Sequence, residues 1–97
     1  MTGLEKMGAG DFAGSIAALE AALSAEPDNL DVMLGLSMAH SKAGDQDKAI
    51  EVAKVAVERH PDDPFPHTNL SMFLQKQGKI EEAETEAALA TKLSMKA

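Results

Sequence analysis

Residues 44–61 read GDQDKAIEVAKVAVERHP, and the order of residue types in that stretch dictates its fold. Gly44 tolerates the left-handed backbone needed just past a helix C-terminus. Asp45, directly after it, offers a carboxylate to the free amides at the start of a new helix. Ala49, Ile50, Ala53, Ala56 and Val57 then recur at steps of three and four, which puts them on one stripe of that helix. Pro61 has no amide hydrogen and stops the helix from continuing. The stretch is therefore a helix bounded by a turn on each side.

The same marks recur along the chain at a spacing of 34. Gly10, Gly44 and Gly78 keep it, as do Pro27 and Pro61, Ala22, Ala56 and Ala90, Ile16 and Ile50, Leu36 and Leu70, and Met38 and Met72. Asp11 and Asp45 each come directly after their glycine. So many matches in one register identify an internal repeat. In the segment before Gly44, Met33, Leu36, His40 and Ala43 fall on one helical stripe. Asp28-Asn29 and Asp62-Asp63, after the two prolines, supply turn and cap chemistry, and Asp63-Pro64 reads as an N-cap with a first-turn proline. The repeating unit is helix, tight turn, helix, turn. No segment shows the sustained alternation of a strand.

This pattern resembles the tetratricopeptide repeat (TPR) family. The residues that carry the resemblance are the Gly-Asp pairs at 10–11 and 44–45, the small residues Ser15, Ala49 and Ala83, the small residues Ala22, Ala56 and Ala90, and Pro27 and Pro61. Met33, His67, His40 and Leu74 stand at the family's usual Trp and Tyr positions. Leu19, Ala53 and Ala87 stand at its second-helix aromatic. The expected fold is all-α, a TPR-like helix-turn-helix solenoid of about two and a half repeats with a self-capping last helix. It is one domain over 1–97: a stub helix at 2–9, the second helix of repeat 1 at 11–26, repeat 2 at 29–60 and repeat 3 at 63–95. The stub is short and holds Gly3 and Gly8, each of which weakens a helix.

The two ends differ. In the last helix Glu84 stands where earlier units have Ile16 and Ile50, Thr91 where they have Leu23 and Val57, and Glu86 where they have Ala18 and Val52. All three are expected on the face that would meet a further repeat, so their polarity makes a cap. At the other end, Phe12, Ile16, Leu19 and Leu23 lie on a helix covered only by the stub. Self-association through that edge, or through the groove, is the alternative to partner binding.

Composition narrows the function. The chain has 97 residues, 44% hydrophobic and 26% charged, which suits a folded domain rather than a disordered one. A formal charge of −7 opposes general attraction to nucleic acid or anionic lipid, so neither is an expected partner. No apolar run is long enough to span a membrane. MTGLEKMGAG has neither a basic nor an apolar leader region, so a cytoplasmic location is the default expectation. With no cysteine, thiolate chemistry and Cys-ligated zinc are excluded. His60 and His67 flank Asp62 and Asp63, but helix-end, turn and cap roles account for His60 and the two aspartates, and His67 is expected to be half-buried. No metal or cofactor is expected. No phosphate loop or nucleophile motif is present, so a binding module is expected rather than an enzyme.

The resemblance implies that the first helix of each pair lines a concave groove for a protein or peptide partner. By that alignment the groove residues are Asp31, Leu34, Met38, Ser41 and Lys42 from one unit and Phe65, Thr68, Met72, Gln75 and Lys76 from the next, with Leu4 from the stub. Leu4, Met38 and Met72 share one repeat position and form an apolar ladder. Methionine adapts to varied apolar surfaces.

Overall fold

The computed structural model describes residues 11–96. Its five α-helices are, in order: α1, Phe12–Ala25; α2, Leu30–Lys42; α3, Gln46–Arg59; α4, Pro64–Lys76; and α5, Ile80–Lys96. The stub expected at 2–9, with Leu4, lies outside the described residues.

Side chains at the starts of the first four helices set where each begins. Asp11 accepts a hydrogen bond from the Gly14 amide, Asn29 from Val32, Asp45 from Lys48 and Asp63 from Phe65. These three carboxylates and one side-chain amide satisfy donors that have no partner inside the helix. Pro64 occupies the first turn of α4, where a missing amide hydrogen costs nothing. The turns inside the pairs α2–α3 and α4–α5 hold Gly44 and Gly78, with φ of +92° and +80°. Around Gly44, the Asp45 amide donates to His40 O at 2.9 Å and the Gly44 amide to Ser41 O at 3.0 Å. Lys79 and Gly78 repeat the arrangement on Leu74 O and Gln75 O, both at 2.9 Å. Only a residue without a Cβ adopts that left-handed backbone cheaply.

Neighbouring helices pack along the chain, and α2 also packs on α4, so the first helices of consecutive repeats lie side by side. Ser15, Ala49 and Ala83 are wholly buried, one per repeat. At Ala49 and Ala83 the small side chains let the two helices of a pair approach closely. One core cluster joins Leu19, Leu36 and Ala39, with Ile16, Leu23, Val32 and Val52 against it. The larger one joins Ala49, Ile50, Ala53, Leu70, Phe73, Leu74 and Ala83. Phe73, with no exposure, is the largest fully buried side chain.

Two expectations need correction. Ala43 is the exposed C-cap of α2 rather than a member of its buried stripe, because that stripe ends one turn earlier at His40. Glu86 does not face outward beyond the array. It is half-buried against α4, with Oε1 2.8 Å from His67 Nδ1. Its counterpart Val52 likewise packs in the cluster containing Leu36, so this repeat position faces the first helix of its own pair. Glu84 and Thr91, by contrast, are exposed.

Candidate functional site

The face of interest is built by α2 and α4. Their sequences each carry a half-buried methionine at the same repeat position, Met38 and Met72. Both pack against the larger core cluster with one side, leaving part of the thioether chain at the surface. Leu34, one turn before Met38, is half-buried too, whereas its counterpart Thr68 is exposed and donates its hydroxyl to Pro64 O at 3.2 Å. Phe65, in the first turn of α4, is 63% exposed. A phenyl ring left that open on a helix forgoes burial that stabilises most aromatic side chains.

Lys42 and Lys76 end the two helices, and both are exposed. Lys76 reaches back across the face, its Nζ donating to Ser41 Oγ at 3.3 Å. Ser41 in turn donates to Gln46 Oε1 at 2.9 Å, and Gln46 Nε2 donates to Ser41 O at 3.1 Å. This network ties α4 to α2 and fixes one basic end of the face. Ser41 stands out in the sequence only by its repeat position. Gln46, in the first turn of α3, carries no periodic signal at all.

The histidines are engaged elsewhere. His60 Nε2 lies 2.8 Å from Asp28 O, and Arg59 pairs with the Asp28 carboxylate, which joins the turn after α1 to the end of α3. His67, expected to be half-buried, is almost fully buried, between Glu86 Oε1 at 2.8 Å and Pro61 O at 3.4 Å. The carboxylate accepts, so Nδ1 carries a proton. Asp63 is spent on its cap. Among the described residues no group of three or more His, Asp or Glu side chains converges to hold a metal. None of the described helices is long and apolar enough to cross a membrane.

A second feature lies on the face where the sequence places Thr91 as a capping residue. On the side of the last repeat facing away from α3, α4 and α5 leave an open cleft of ≈ 300 Å³. Thr68, Ser71 and Met72 form one wall, and Ala87, Ala90, Thr91 and Ser94 the other.

The family profile described as tetratricopeptide repeat matches residues 6–68, more than half of the chain. The chain is 28% identical over 83 residues to the photosystem I assembly protein Ycf3 of Synechococcus sp. (strain CC9605), spanning 82% of this chain and 48% of that protein. Among solved structures it is similar to MamA AMB-1, with a TM-score of 0.87 and 25% identity over 98% of this chain and 56% of the other. It is also similar in fold to the Yersinia enterocolitica type III secretion chaperone SycD in complex with a peptide of the translocator YopD. That match has a TM-score of 0.87 and 20% identity, over 94% of this chain and 70% of SycD. The chain thus spans about half the length of Ycf3 and MamA.

Proposed function

From the premise that this chain belongs to the tetratricopeptide repeat family, we propose that it binds another protein, holding a peptide or helix across the face of α2 and α4. The observation that carries the reading is the pair Met38 and Met72. They stand one repeat apart on two helices in contact, and each is partly exposed. Adjacent packed helices lie about 8–10 Å apart, so a single bound segment spans both methionines. Phe65 extends the apolar strip at one end, while Lys42 and Lys76 offer charge to an acidic group at the other. SycD, of the same fold, is known with a bound translocator peptide, which supports this mode of use for the scaffold.

The test is selection of binding peptides on the intact protein from a random library, with titration of the selected peptides against Phe65→Asp and Thr68→Glu. Both side chains are exposed, so circular dichroism should report an unchanged fold. The expected result is a loss of about tenfold or more in affinity for each variant. Selected peptides that bind both variants as tightly as the parent would place the site elsewhere.

A further inference from the structure

The outer stripe of α5 departs from the outer stripe of α3 at every step. One repeat apart, Lys48 becomes Glu82, Glu51 becomes Thr85, Val55 becomes Leu89, Glu58 becomes Lys92 and Arg59 becomes Leu93. The order of charge is reversed, and an acidic start now runs through two leucines to a basic end. Glu82, Thr85, Leu89 and Lys92 are exposed, Leu89 by 39%. Their steps of three and four keep them on one side of the helix. This exposure does not depend on the lack of a following repeat. Lys48, Glu51, Val55 and Glu58 are exposed on α3 with the last repeat in place.

The face of α2 and α4 carries the opposite order. Asp31, Leu34, Met38 and Lys42 form one stripe, and Phe65, Thr68, Met72 and Lys76 stand beside it at the same repeat positions. Lys76 Nζ, donating to Ser41 Oγ at 3.3 Å, holds the two C-terminal ends together. The face is thus acidic and aromatic where the helices begin, apolar in the middle and basic where they end. α4 fills the cleft between α2 and α3, packing on both. Even so, Asp31 and Lys42 stay exposed and Leu34 and Met38 half-buried, so a following repeat does not cover this face. None of Asp31, Lys42, Glu82 and Lys92 forms an ion pair among the described residues.

The two surfaces match when they run antiparallel. Asp31 and Lys42 are eleven positions apart, as are Glu82 and Leu93, so each stripe is about 16 Å long at the helical rise. In that register Glu82 meets Lys42 and Lys76, and Thr85 meets the methionines. Leu89 meets Leu34, while Lys92 and Leu93 meet Asp31 and Phe65. The positive N-terminus of α5 then lies beside the negative C-termini of α2 and α4. The outer stripe of α3 fails the same test, since Lys48 would face Lys42 and Lys76, and Glu58 would face Asp31.

We propose that the outer stripe of α5 of one copy docks antiparallel on the α2–α4 face of a second copy. The proposal rests on the reading of that face as a binding surface and names one occupant for it. Stripe and face are different surfaces, so every docked pair keeps one of each free and the assembly grows head to tail. A protein partner held on α2 and α4 displaces α5, which makes assembly and partner binding mutually exclusive.

The test is sedimentation velocity of the full chain over a range of concentrations. The parent should grow in mass beyond a dimer as concentration rises. Phe65→Asp, in the face, and Leu89→Asp, in the stripe, should each weaken association about tenfold or more. Both residues are exposed, so circular dichroism should be unchanged. Lys92→Glu takes the place of Leu89→Asp if that variant is misfolded. Mixed together, the face variant and the stripe variant should form a complex of one copy each that grows no further, because one retains the stripe and the other the face. A parent that stays monomeric up to about 1 mM, where only the weakest specific binding would be missed, overturns the proposal. So does association that the variants of either surface leave unchanged, or a mixture that forms no one-to-one complex. The reading of the face as a peptide site fails separately, when selected peptides bind Phe65→Asp as tightly as the parent.

Discussion

The interior pair α2–α3 and the terminal pair α4–α5 are two versions of one unit, and their differences separate what a repeat does for itself from what its successor does for it. Within each pair one close approach is kept: Ala49 and Ala83 are both wholly buried where the second helix meets the first. On the far side they diverge. Ile50 is buried and its counterpart Glu84 exposed; Ala53 is buried and Ala87 exposed; Val57 is half-buried and Thr91 exposed. The first helix of each pair anchors the one before it, and only the last pair lacks that cover among the described residues. Stability should accordingly be concentrated at the junction of α3 and α4, as nearest-neighbour stacking requires.

The largest break should come from Phe73→Ala. Phe73 fills the junction from both sides, and removing a buried phenyl ring typically costs about 3–5 kcal/mol. For a domain this small such a loss should unfold the chain or lower its thermal midpoint by well over ten degrees, read by circular dichroism. The same substitution type then sharpens the contrast between the pairs. Ala53→Leu overpacks the filled cleft and should cost about 1–3 kcal/mol. Ala87→Leu, at the equivalent position of the open cleft, should stay within about 0.5 kcal/mol of the parent in urea denaturation. Equal losses would mean that the two clefts do not differ as described.

Next in size is Gly44→Ala. No atom lies near the added methyl group, so the cost isolates the backbone, which sits at φ +92°. Left-handed backbone disfavours a residue with a Cβ by about 1–2 kcal/mol. Gly78→Ala, at φ +80° in the terminal pair, should lose a similar amount, because the turn within a pair does not depend on a succeeding repeat. A much smaller loss at Gly78 in urea titration would show that the terminal pair is already loosened.

The reasons some features are readable in the sequence and others not are physical. Gly44, Asp45 and Pro61 act through the backbone of their own turn, so their meaning survives without knowledge of neighbours. The alternation of apolar steps with small residues at 49 and 83 likewise reports a close approach that recurs in both described pairs. Glu86 misleads because polarity ordinarily signals solvent. Its side chain is satisfied instead by His67, nineteen positions away, and no local rule reveals that pairing. The surface face is legible in outline, since Met38 and Met72 keep the period, but not in its fastening. Lys76 donates directly to Ser41, whose hydroxyl donates on to the aperiodic Gln46. The terminal cleft is legible only in part: Thr68, Met72 and Thr91 stand out by repeat position, whereas the small Ser71, Ala87, Ala90 and Ser94 beside them do not.

The smallest effect on the monomer should come from Glu84→Ile together with Thr91→Leu. Both positions are exposed, so the fold itself should change by no more than about 0.5 kcal/mol. The effect on association should be large by comparison. The pair of changes restores an isoleucine at the position of Ile50 and an aliphatic side chain at the position of Val57, recreating the surface that α4 covers one repeat earlier. Burying that surface against another chain is worth about 25 cal/mol per Å² of apolar area. An exposed apolar patch of this kind promotes association. Sedimentation velocity should therefore show concentration-dependent oligomers for the double variant under conditions where the parent remains smaller. If light scattering and sedimentation instead give the same species for both at high concentration, the polar residues of α5 do not act as a cap. The contrast between the interior and terminal pairs would then reflect position alone.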